Sequence, residues 1–195
     1  MPNDWGTISV ERMDRAVDKV RDRLLRATAV LEQAALPYAV IGGHAVAAWV
    51  SRVDESLVRY TRDVDILIRR VDFEQVKAAF EGAGLVSRHA AGIEMFLESR
   101  SGKARDGVHV LFAGEKVRPE DPYETPNLDE CERTENFRFI ALESLVRMKL
   151  TSFRLKDQVH LLDLIQAGLV EESMLARLPS DLASRLKPLI DNPNA

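Results

Sequence analysis

Val10, Met13, Val17, Val20, Leu24 and Leu31 recur at steps of three, four or seven residues, with Arg, Asp and Lys between them. That spacing predicts an amphipathic helix from about Ser9 to Ala35. Pro37 ends it, because the residue before a proline is pushed out of helical conformation. Tyr38-Ala39-Val40-Ile41 is short, apolar and bounded by breakers, and predicts a buried strand. Gly42-Gly43 interrupts the pattern, and the Ala- and Val-rich run from His44 to Val50 predicts a helix directly after it. A polar connection covers Ser51 to Arg62. Asp63 to Ile68 reads as a strand, and Val71 to Glu81 as a helix with Phe73, Val76, Ala79 and Phe80 inward and Gly82 and Gly84 after it. Leu85-Val86, Ile93–Leu97, Val108–Phe112 and Phe137–Ala141 are further strand candidates, and Ala113 to Glu135 reads as an acidic loop or lid. From Leu142 the pattern is helical, over about 142–153, 156–167, 171–178 and 180–189.

Strands dominate the middle and helices both ends, which predicts an α+β fold: a mixed sheet flanked by helices. The expected division is an α/β domain over 1–141 and a helical subdomain over 142–195. The chain has 195 residues, 46% hydrophobic and 30% charged, with a net charge of −4. This is the composition of an ordinary folded domain, and its mild acidity argues against extensive nucleic-acid coating while leaving room for a local basic patch. No apolar run approaches the ~20 residues of a membrane span, so no membrane partner is expected, and Met1 to Trp5 does not begin a signal peptide. The single cysteine, Cys131, can form no internal disulfide, and a reducing, cytoplasmic setting is expected.

Alternation along a strand puts Val64, Ile66 and Ile68 on one face and Asp63 and Asp65 on the other. Two carboxylates held side by side repel, and each wants a cation. Such hard oxygen ligands suit Mg²⁺, which is often held by one or two carboxylates plus substrate phosphates. A solvated strand end with acids outward gives the same pattern. Gly42-Gly43 lies between a buried strand and a helix. There, glycines allow a sharp turn and close approach, and a helix start offers open N–H groups to an anion; a plain tight turn would look alike. Taken together, a phosphate cradle followed by a metal-binding pair on the next strand is what phosphoryl-group chemistry requires.

Tyr38 to Val46, followed by Thr61-Arg62-Asp63-Val64-Asp65-Ile66-Leu67-Ile68, resembles the nucleotidyltransferase superfamily with its polymerase-β-like fold. The long gap from the glycines to the aspartates is similar to the branch containing AbiEii-type toxins and lincosamide nucleotidyltransferases. The resemblance spans about 38–113, with a weaker echo at 142–165. It implies transfer of a nucleoside monophosphate from a nucleoside triphosphate to an acceptor hydroxyl. Gly42 and Gly43 would hold the triphosphate, Asp63 and Asp65 would bind Mg²⁺ or Mn²⁺, and Arg62, with Arg59 as a second candidate, would contact phosphate. The acceptor could be tRNA, a protein or a small molecule, and the toxin branch implies a cognate antitoxin as a partner.

The family pattern asks for a third carboxylate on a later strand, where this chain has His109. Either His109 serves in place of the acid, or the site binds nucleotide without efficient transfer, or His109 is a half-buried histidine bonded to backbone. An imidazole could act as a base, and as a ligand it suits transition metals better than Mg²⁺. Glu94 is a substitute acid to consider. Lys149, Arg154, Lys156 and Asp157 resemble a further signature of the same branch. Helical spacing would put Lys149, Phe153 and Lys156 on one face. Lys149 would reach the triphosphate, and Asp157 would orient it or accept a proton. His160 stands where the family tends to have another acid. Arg147, Lys149, Arg154 and Lys156 would form a basic strip wide enough for a tRNA end. His44 is expected to make a local hydrogen bond, and Trp49 and Phe80 to lie in the core.

Overall fold

The computed structural model describes residues 10–193. The first helix, α1, spans Val10–Gln33 and leads through a turn into β1 (Tyr38–Ile41). Then come α2 (Gly42–Ser51), β2 (Val64–Ile68), α3 (Phe73–Gly82), β3 (Val86–Ala90), β4 (Ile93–Leu97), β5 (Val108–Phe112), β6 (Cys131–Arg133) and β7 (Arg138–Ile140). Three helices close the chain: α4 (Leu142–Ser152), α5 (Leu155–Gln166) and α6 (Ser180–Asp191), with a 3₁₀ segment over Glu172–Arg177. The expected start of α1 at Ser9 lies outside the described residues. Among those residues, no helix is long and apolar enough to cross a membrane.

The seven strands form one sheet in the order β3-β4-β5-β2-β1-β7-β6. It is mixed: β1 runs antiparallel to β2 and parallel to β7, while β2 runs parallel to β5. The fold is therefore α+β, as the pattern predicts. Strands β3 and β4 meet in a two-residue turn in which Ala91 (φ +52) and Gly92 (φ +76) are both left-handed, the geometry that matches the twist of a tight hairpin.

Register fixes what each face carries. Val64 pairs with Val108, Ile66 with Val110 and Ile68 with Phe112, and all six share one face. That face packs against α3: Phe80 meets Phe96 at 4.7 Å between ring centroids, and Phe73 meets Phe112 at 5.5 Å. Helix α1 lies beside α3 and over β2 and β5. The opposite face carries Asp65, partnered with His109 on β5. Helix α2 covers part of it, with α4 and α5 packed against α2. The buried core runs without interruption from Leu31, Val40 and Ile66 to Leu145, Leu161 and Leu186.

Several local expectations need correction. Asp63 precedes β2 rather than opening it. Helix α2 begins at Gly42 and so includes both glycines, instead of starting after them at His44. The acidic stretch contains a strand, β6, paired antiparallel with β7. Lys149, Phe153 and Lys156 do not share one helix, because Phe153 adopts φ +44 and breaks the chain between α4 and α5. Trp49 is half-buried and donates through Nε1 to the Ile140 carbonyl at 3.0 Å, while Phe80 is fully buried.

Candidate active site

Helix α2 begins without a side-chain cap, since Ile41 stands at its N-cap. The N–H groups of its first turn are therefore open to a ligand, at the positive end of the helix dipole. Two close approaches explain the glycines. Gly42 has φ +67, and a Cβ there would lie 2.1 Å from Oδ2 of Asp65. A Cβ on Gly43 would lie 2.8 Å from Oγ1 of Thr61. The bend and the acidic segment are thus pressed together.

Asp63 accepts from Thr61 Oγ1 at 2.8 Å and from Lys156 Nζ at 3.1 and 3.3 Å. Burial opposes its charge, but these donors win and bring its carboxyl down to about 2. Asp65 lies beside His109, with Nδ1 3.1 Å from Oδ1. That contact, working against burial, raises the imidazole above its ordinary value. Nε2 of His109 is 2.8 Å from the Ala104 carbonyl. A carbonyl only accepts, so Nε2 carries the proton.

One ligand atom from each of Asp63, Asp65 and His109 lies within 4.8 Å of the other two, the one such group among the described residues. Two carboxylates and an imidazole fit a divalent cation, and Asp63 is at the same time bonded to Lys156. Glu94 is not part of this group: it bonds His89 Nδ1 at 2.8 Å and faces the other side of the sheet, opposite Val110.

Across the cleft, α4 and α5 present a second charged cluster. Lys149 is buried and donates to Asp157 Oδ1 at 3.1 Å. Asp157 Oδ2 accepts from Ser152 Oγ at 2.7 Å, Arg154 Nε at 2.8 Å and the Arg154 N–H at 3.3 Å, the last capping α5. Burial works against this carboxylate, yet the Arg154 hydrogen bond and the Lys149 charge hold it well below the usual range. At neutral pH it is an anion that orients Lys149 and is a poor proton acceptor. His160 is buried, with Nδ1 lacking a partner, and burial lowers it to about 4. His44 does not make the expected bond through Nε2, which is buried and unpartnered; burial likewise lowers its imidazole to about 4, despite nearby Asp65 and Asp63.

These groups line one cleft of about 290 Å³: Gly42, Gly43, Asp63, Asp65 and His109 on the sheet side, Lys149, Arg154, Lys156 and Asp157 on the helical side. Arg62 is exposed and not among the lining residues, and Arg59 instead pairs with Asp163 at 2.6 Å. The third wall is the segment after β5, through Arg118, Asp121, Tyr123 and Thr125. It is pinned by Thr125, which donates to the Phe112 carbonyl at 2.5 Å, and by Tyr123, which donates to Asp181 at 2.6 Å. The sequence pattern predicts only an acidic loop or lid here and singles out none of these residues. Thr61, which both holds Asp63 and meets Gly43, was also passed over; its place two residues before Asp63 was the available signal.

No family model matches the sequence, and no curated protein sequence matches it. Solved structures do. An antigenic nucleotidyltransferase-like protein from Paracoccidioides brasiliensis aligns with a TM-score of 0.56 and 18% identity, over 91% of this chain and 89% of that one. The solution structure of the antibiotic-resistance factor ANT(2'')-Ia aligns at 0.52 and 13%, over 92% of both chains. The same factor, in complex with adenylyl-2''-tobramycin, aligns at 0.50 and 15%, over 87% of this chain and 95% of that one. At such identities the likeness establishes a nucleotidyltransferase-like fold, the fold that the motifs' resemblance implies, and does not reach the branch within it.

Proposed function

We propose that this fold carries a divalent-metal-dependent nucleotidyltransferase, moving a nucleoside monophosphate from a nucleoside triphosphate to an acceptor hydroxyl. The observation that carries the reading is the meeting of the uncapped, glycine-lined start of α2 with Asp63, Asp65 and His109 in one cleft. The open N–H groups of α2 would receive phosphate oxygens. Asp63 and Asp65 would hold Mg²⁺ or Mn²⁺, which supplies charge neutralisation at the reacting phosphate. Lys149, fixed by Asp157, puts positive charge on the opposite wall. Lys156 would leave Asp63 for the phosphates as the metal arrives.

The long gap between Gly43 and Asp63 supports the finer placement beside AbiEii-type toxins and lincosamide nucleotidyltransferases, and with it a cognate antitoxin as partner. Among acceptors, the cleft favours a small molecule over tRNA or a protein. Of the basic strip, Lys149 and Arg154 are bound to Asp157 and Lys156 to Asp63, leaving Arg147 outside this cleft. Asp121 and Glu124 outweigh Arg118 on the third wall, which disfavours a nucleic-acid backbone as the acceptor side's occupant.

A second reading, a nucleotide-binding module without transfer, is favoured by one observation: His109 occupies the place of the third acid. Incubation with each α-labelled nucleoside triphosphate, metal and candidate acceptors separates the two. Label reaching an acceptor, and lost in Asp63→Ala, is the expected result. Nucleotide binding by calorimetry with no transfer to any acceptor would establish the second reading, and absence of nucleotide binding would end both.

A further inference from the structure

The two nitrogens of His109 have different neighbours. Nε2 donates to the Ala104 carbonyl in the short 3₁₀ turn Ala104–Asp106, which orients the ring. In the neutral ring Nδ1 is then a bare lone pair, and it faces Oδ1 of Asp65 at 3.1 Å. Two acceptors at that distance need a cation between them, either a proton on the ring or a metal shared by both atoms. A histidine whose other N–H is tied to a backbone carbonyl is the usual arrangement of a metal-ligating imidazole. Asp63 completes a set of one nitrogen and two oxygens. Its two negative charges balance one divalent ion, with no third acid to call for another.

We propose that His109 Nδ1 is a metal ligand, making this centre selective for first-row transition ions such as Mn²⁺ and Co²⁺ over Mg²⁺. The inference rests on the metal role given to Asp63 and Asp65 above and deepens it. Imidazole nitrogen binds such ions well, whereas Mg²⁺ prefers oxygen ligands and sheds water reluctantly. An aspartate at this position would give an all-oxygen site without that discrimination.

The test uses the full chain without nucleotide. Mn²⁺ is added and electron spin-echo modulation is recorded, while calorimetry measures Mn²⁺, Co²⁺ and Mg²⁺ affinities. The expected result is one saturable Mn²⁺ site with ¹⁴N modulation from a directly bound imidazole. The modulation is lost in His109→Asp, and the ratio of Co²⁺ to Mg²⁺ affinity falls at least tenfold. Mn²⁺ bound without nitrogen coupling, no saturable Mn²⁺ site, or an unchanged ratio in a folded His109→Asp variant would overturn the proposal. Nitrogen-coupled Mn²⁺ in a protein that transfers nothing would sink the enzymatic reading alone. Transfer supported by Mg²⁺ at a centre showing no nitrogen coupling would sink this inference alone.

Discussion

Replacing Gly42 by alanine tests whether the bend is shaped by its neighbour or only by its own backbone. Gly42 has φ +67, and left-handed alanine costs about 1–2 kcal/mol. The new methyl would also sit 2.1 Å from Oδ2 of Asp65. Asp65 would have to swing away and lose its contact with His109, a charged hydrogen bond worth about 1.5–3 kcal/mol. The expected total is about 2.5–5 kcal/mol. Gly92 supplies the control: it has φ +76 with no heavy atom within 4 Å of its Cβ position, so Gly92→Ala should cost only the backbone strain, about 1–2 kcal/mol. Urea unfolding with the slope held common to both variants measures the difference, expected at about 1.5–3 kcal/mol and seen as a melting-point gap of several degrees. Mn²⁺ affinity should fall in Gly42→Ala and not in Gly92→Ala. Equal stability losses with equal metal affinity would refute the claim that Asp65 is held against the bend.

Asp157→Asn should destabilise the fold by about 3–5 kcal/mol, because buried Lys149 loses its counter-charge; a urea midpoint within error of the parent would contradict this. Lys156→Gln frees Asp63 from a competing cation, so Mn²⁺ affinity without nucleotide should rise several-fold in calorimetry while nucleotide affinity falls. Half-buried His44 and buried His160 have folded values near 4, below the ~6.5 of the unfolded chain, so the unfolded state binds more protons between those limits. Stability should therefore decline as pH falls from about 6.5 to 4, by about 2 kcal/mol per imidazole between pH 7 and 5, with His109 acting in the opposite sense. His160→Asn should remove about half of that decline in urea titrations at the two pH values.

What the sequence disclosed follows from range. Val108–Phe112 and Ile93–Leu97 declare themselves because apolar runs between breakers are local signals, and Gly42-Gly43 with Asp63 and Asp65 because the chemistry needs those types close in sequence. Strand β3 is less visible: it is an edge strand reading Val-Ser-Arg-His-Ala, so no buried face marks it. Strand β6, three residues long at the other edge, is hidden by the acids around it. The reach of Lys156 to Asp63 spans 93 positions and depends on how α5 packs on α2, which no local pattern encodes. Phe153 in a left-handed conformation is another such case, since that conformation disfavours side chains of its kind.

The pairing of Asp65 with His109 also bears on how the chain folds. The two residues stand opposite each other on parallel strands 44 positions apart, and a parallel pair cannot be closed by a simple turn. The intervening helix and hairpin must be accommodated before β5 can dock on β2, a slow kind of step because loop closure precedes any reward. An ion held by both residues could engage only after that step. It would therefore slow unravelling of the finished sheet without guiding its assembly, and its occupancy would report that the centre of the molecule has closed.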